Sequence, residues 1–206
     1  MPWTTLETWS PTAFLVGGGL FVVFTAILGA DAFTGMTLRG VQEAFGAGGW
    51  ALAFVGLLGL YPSIADDAPW LSRVAAAVLG LGAVGATATA IEGFAGLAGL
   101  TGPPPSWFVA LNAPIILGIL VGFTAVGVAV LRTGARSRRL AVLILSPAAV
   151  FLVNFVRVPV LGAWTPPWAP FVLGAGQALA LLSIGYVLWT AGRRSDVATP
   201  AADSAT

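Results

Sequence analysis

The sequence predicts an all-α fold: a polytopic integral membrane protein whose six transmembrane helices form a bundle with both termini in the cytoplasm. Three observations carry that expectation. Six apolar stretches recur along the chain, each of roughly 17 to 25 residues, the length that crosses a bilayer's hydrocarbon core. Only 8% of the 206 residues are charged against 58% hydrophobic, and mean hydropathy is +0.95; soluble domains carry about 25% charged residues. The few charges gather in the intervening loops, where no ion has to be desolvated by lipid.

Residues 1–12 are expected to be a cytoplasmic segment. They hold Glu7 and no basic residue, the wrong leading charge for a cleaved signal peptide, so the first span, 13–33, is expected to stay in the membrane. A polar turn with Arg39, Gln42 and Glu43 precedes the second span, 44–64, which closes at Tyr61 and Pro62. The next loop carries Asp66, Asp67 and Arg73, and the third span, 74–100, is interrupted near its end by Glu92 and a glycine-rich stretch. Pro103, Pro104 and Pro105 then block a helix, because proline lacks the amide donor and its ring clashes with the preceding turn. The fourth span, 107–131, and the fifth, 140–156, are separated by a basic loop of Arg132, Arg136, Arg138 and Arg139. Pro114 and Pro147 are expected to kink these two spans. After a bend from Pro159 to Pro170 the sixth span covers 171–189. The transmembrane domain thus occupies 13–192, and the small, polar tail 193–206 is expected to be disordered in the cytoplasm.

Arginine placement sets the orientation, since cytoplasmic loops retain positive charge. With six spans, one face holds Arg73, Arg132, Arg136, Arg138, Arg139, Arg193 and Arg194, and the other only Arg39 and Arg157. Trp107, Trp164, Trp168 and Trp189, with Tyr61 and Tyr186, fall near span ends, where amphipathic rings anchor at headgroup level. Gly118 and Gly122 make a GxxxG step, and Gly82, Ala86 and Ala90 a similar stripe. Such stripes allow close helix approach in lipid, within one chain or between copies.

Several chemistries are excluded by composition. There is no cysteine and no histidine, and all nine basic residues are arginine. Thiolate nucleophiles, serine–histidine triads, imidazole metal sites and lysine Schiff bases are therefore impossible. No phosphate loop or other catalytic motif is present. Asp66 and Asp67 have no third acid nearby and are expected to form a solvated turn rather than a cation site. Neither a metal nor a cofactor is expected. A net charge of +1 offers no patch for nucleic acid. Arginine without lysine, in a chain rich in alanine, glycine and valine, fits GC-rich prokaryotic coding and hence the cytoplasmic (inner) membrane of such a cell.

Polar groups inside a span are costly enough to be functional suspects. Five gather toward the outer ends of the spans: Glu92, Asn112, Asn154, Arg157 and Gln177. Asn154 and Arg157 stand three residues apart on one helix face, with Ser146 two turns below, and Thr89 and Glu92 repeat the relation. Pairing Glu92 with Arg157 would offset much of the cost of burying either, and Asp31, Arg39 and Glu43 could extend the network. Two readings stay open for this cluster, a structural lock and a ligand or ion site. The expected function is a non-catalytic accessory or small-molecule-binding membrane component. Its partners are the bilayer and an amphipathic small molecule or another membrane protein. The alternative is a small transporter or channel with an outer-side site around Glu92 and Arg157, against which stand the almost wholly apolar inner halves of the spans.

Overall fold

A computed structural model describes residues 3–36, 38–102, 104–161 and 166–198, and these are helical apart from short connections. The helices are α1 (Trp3–Thr34), α2 (Arg39–Leu58), the short α3 (Pro62–Ala65), α4 (Pro69–Leu97), α5 (Asn112–Leu117), α6 (Phe123–Thr133), α7 (Arg138–Leu161) and α8 (Ala169–Ala198). A 3₁₀ segment, Ser106–Leu111, leads into α5, and a π-helical segment, Gly118–Gly122, joins α5 to α6. Six stretches are long and apolar enough to cross a membrane: Thr5–Thr34, Gly40–Leu58, Pro69–Leu97, Ser106–Thr133, Arg138–Arg157 and Ala169–Arg193. Their outward faces are apolar as well, with Leu81, Val84, Ile91, Val153, Phe155 and Leu179 all exposed, the pattern of helices that meet lipid rather than water.

Each long helix packs on its neighbours in sequence, and α1 closes the ring against α8. Glycine sets how near the helices come. A side chain at Gly17 of α1 would meet the Gly49 carbonyl at 2.9 Å, so α1 and α2 touch backbone to backbone. At Gly82 it would meet the Pro114 carbonyl at 3.1 Å and the Gly118 Cα at 3.3 Å. The glycines of the fourth span are thus spent inside the chain, where Gly118 seats the Phe54 ring and Gly122 seats Leu79. The space within the ring is filled by fully buried Phe14, Phe21, Phe54, Leu57, Phe123, Ile144 and Leu181.

The helices differ from the apolar spans at several ends. α1 begins at Trp3 and carries Pro11 inside it. This leading part is tied to α2 where the buried Ser10 hydroxyl donates to the Gly56 carbonyl at 2.7 Å. α2 stops at Leu58, and a turn plus α3 cover the rest of its apolar run. α7 continues through Pro147 and on to Leu161. Pro147 withdraws the amide that would bond the Leu143 carbonyl, and the Ser146 hydroxyl donates to that oxygen instead, at 2.6 Å. α8 carries on through 193–198, with the Arg193 guanidinium 3.8 Å above the Trp189 ring, a cation–π pair one helical turn apart. The remainder of the expected tail, 199–206, lies outside the described residues, as do Trp164 and the Arg39 and Arg194 side chains. Trp107, Trp168, Trp189 and Tyr186 face outward, as anchoring rings would.

Candidate binding chamber

The bundle has two ends. Glu7, Leu60, Arg136 and Arg193 line one cavity at the end holding the termini, where Glu7 and Arg136 form an ion pair. All five polar residues singled out in the sequence lie toward the opposite end, on two different cavities.

The first cavity, about 400 Å³, is lined by Glu43, Thr89, Glu92, Ser106 and Asn112. Close packing of α2 on α4 assembles it. A side chain at Gly93 would come within 2.8 Å of the Ala44 backbone nitrogen, so only glycine lets the helices meet there, and their neighbours Glu43 and Glu92 arrive on one wall. The Thr89 hydroxyl is already committed, donating to the Gly85 carbonyl at 3.0 Å. Asn112 reaches the wall as the first residue of α5, after the 3₁₀ segment.

The second cavity, about 220 Å³, is lined by the rings of Phe21, Phe24, Trp50 and Phe151 and by Asn154, Arg157 and Gln177. Arg157 donates from Nε to Asn154 Oδ1 at 2.9 Å, the contact their spacing on α7 allows. Gln177 is only 5% exposed. Its Nε2 donates across to the Pro147 carbonyl at 3.0 Å, joining α8 to α7. Two buried polar atoms on its lining residues have no hydrogen-bond partner among the described residues: one terminal guanidinium nitrogen of Arg157 and Gln177 Oε1. A third such atom, Thr25 Oγ1, is packed against Gly174 in the contact of α1 with α8.

A third, more open cavity of about 440 Å³ lies beside the other two. It shares Glu43, Thr89 and Asn112 with the first, and Phe24, Leu28, Gly46, Trp50 and Phe151 with the second. The three adjoin as a chamber with polar residues toward each extremity and a mainly apolar passage between, walled further by Ile115, Ile116 and Ile119. Its floor is aromatic. Trp50 packs edge-on against Phe21 with ring centroids 4.9 Å apart and against Phe123 at 5.9 Å, and stacks on Phe54 at 5.9 Å.

The expected pairing of Glu92 with Arg157 is not made. Among the described residues the salt bridge is that of Glu7 with Arg136, while Arg157 turns to Asn154 on its own helix and Glu92 faces Glu43 and Asn112 across the far pocket. Glu43, foreseen as an extension of the network, is a full member of the site. Trp50 was missed. It lies well inside its span and not at an end, so a signal was present: a mid-span indole is poorly explained by interface anchoring. Chemically the chamber supplies hydrogen-bond donors, acceptors, one cation and large apolar walls, the inventory of a binding site for a molecule with a polar end. Among the described residues no three acidic side chains converge to hold a metal ion.

Comparison with protein-family models, with curated proteins and with solved structures gives no match. Fold and site alone therefore define the class, an all-helical bundle with six helices long and apolar enough to cross a membrane and a chamber at the end remote from Glu7 and Arg193.

Proposed function

We propose that the protein is a non-catalytic component of a prokaryotic cytoplasmic membrane that holds a small amphipathic molecule in this chamber, on the outer side of the bilayer. The observation that carries the reading is the run of adjoining cavities, with polar residues toward its extremities and a mainly apolar middle. A space of several hundred Å³ lined mainly by apolar and aromatic groups, with a few convergent polar ones, is the usual form of a small-molecule site. The unpaired buried atoms of Arg157 and Gln177 support it further. Such atoms cost about 1–3 kcal/mol each when left unsatisfied, a cost a bound polar group removes. Translocation is the weaker alternative, because fully buried Phe14, Phe54, Leu57 and Phe123 fill the bundle between this chamber and the cavity at the other end.

The test is native mass spectrometry of the protein released from its own membrane, beside Leu28→Trp, which places an indole where the passage meets the second pocket. A discrete bound mass on the wild type, absent from a variant of equal helicity, is expected. A wild-type protein that emerges bare overturns the reading.

A further inference from the structure

The second pocket names the head group. Resting on the chamber reading above, we infer that the bound molecule enters head first, placing an oxyanion on Arg157 and an adjoining hydroxyl on Gln177 and leaving its hydrocarbon along the passage.

The argument starts from the hydrogen-bond inventory. Arg157 keeps Nε occupied on Asn154, so its buried terminal nitrogen is a charged donor in need of an acceptor. In a site walled by four aromatic rings a charged donor is satisfied best by a charged acceptor, because such bonds are shorter and roughly twice as strong as neutral ones. An ammonium head is excluded on the same ground, since it would bring a second cation beside the guanidinium. Gln177 asks for the opposite partner. Its Nε2 is committed to the Pro147 carbonyl, which fixes the amide's orientation and presents Oε1 as an acceptor without a donor. A bare carboxylate has no hydrogen to give it, whereas a hydroxyl beside the oxyanion does.

Size restricts the rest. The pocket measures about 220 Å³, space for a head group, so the rest of the molecule must lie beyond it. Phe24, Leu28, Trp50, Ile116 and Phe151 make most of the wall of the adjoining cavity, which suits a hydrocarbon chain. The same head chemistry exists on a free hydroxy acid and on a phosphatidylglycerol headgroup, and the probes separate the two.

The experiment is a binding titration of delipidated, detergent-purified full-length protein with probes sharing one monounsaturated C18 chain: 2-hydroxyoleate, oleate, oleyl alcohol and oleylamine. Expected in the wild type is binding in that order. Oleate should exceed the alcohol by about tenfold or more, as a charge-assisted bond allows, and the 2-hydroxyl should add about two- to tenfold more. Arg157→Gln should reduce both acids to the level of the alcohol. Gln177→Met should abolish only the gain from the hydroxyl. Dioleoylphosphatidylglycerol displacing 2-hydroxyoleate would identify the source as a bilayer lipid, and failure to displace it would identify a free acid. An amine that binds as well as the acids, or acids no better than the alcohol, overturns the assignment on the wild type alone. If no probe binds a protein that nevertheless leaves its membrane with a bound mass, this assignment falls and the chamber reading stands; a bare native protein ends both.

Discussion

Arg157 shows how a single residue can be misjudged from spacing. A cation and an anion in the outer parts of two spans invite pairing, because each lowers the other's cost of leaving water. The structure instead gives Arg157 a neutral partner, Asn154 at 2.9 Å, and leaves Glu92 on another pocket. The energetic consequence is testable. Breaking a true buried ion pair costs about 3–5 kcal/mol, because the surviving charge is stranded. Here no charge is stranded by either change, and only the partly buried Asn154 Oδ1 loses a donor. Arg157→Met should leave stability within about 1 kcal/mol or raise it, since it removes an unsatisfied donor and keeps the apolar stem. Glu92→Gln should be similarly mild, and the double variant should equal the sum of the singles within about 0.5 kcal/mol, as for sites without shared partners. Reversible unfolding in detergent measures all three. A loss above about 3 kcal/mol in either single variant, or strong coupling between them, would restore the structural lock.

At the scale of the element, the decisive feature is the π-helical segment Gly118–Gly122 beneath α5. A π turn carries one residue more than the α-helical ladder needs, so it sets the angle at which Asn112 and Ile115 face the chamber. Removing Leu120 should restore α-helical register, and one residue of α-helix corresponds to about 100° of rotation and 1.5 Å of rise. Asn112 and Ile115 would then turn off the wall they share with Thr89 and Glu43. Far-UV circular dichroism should stay helical while the bound mass seen by native mass spectrometry disappears. Retained binding would mean that this segment does not shape the site.

The six long apolar helices were legible in the sequence because the length and composition that suit a bilayer are properties of each stretch by itself, with little say from its neighbours. The contact between Asn154 and Arg157 was legible for a like reason, being local to one helix. The division of the polar cluster was not. It depends on how helices are rotated against one another, which follows from backbone approaches such as Gly93 on Ala44 and Gly82 on Gly118. A small-residue stripe announces that a helix will pack closely and does not name the helix it meets. The π turn was hidden too, since Gly118 to Gly122 reads as an ordinary GxxxG step until its hydrogen bonds are seen.

Over the whole molecule, the arrangement of charge predicts which side of a membrane the chamber opens to. Arg73, Arg132, Arg138, Arg139 and Arg193 are exposed, and they belong to the end where Glu7 pairs with Arg136; Arg157 lies at the other end. Positive charge in short loops is retained on the cytoplasmic side, so the chamber should open outward, to whatever amphiphile the outer leaflet carries. The absence of cysteine makes single-cysteine reporters clean, and the structure selects their positions. Arg138 and Ser106 are both exposed, at opposite ends and outside any ion pair, whereas a reporter at Arg136 would break its bond to Glu7. In intact cells Ser106→Cys should react with a membrane-impermeant maleimide, and Arg138→Cys should react only after the membrane is opened. The reverse pattern would turn the bundle over. Arg157, Gln177 and their pocket would then face the cytoplasmic leaflet, and the source of the bound amphiphile would have to be sought inside the cell.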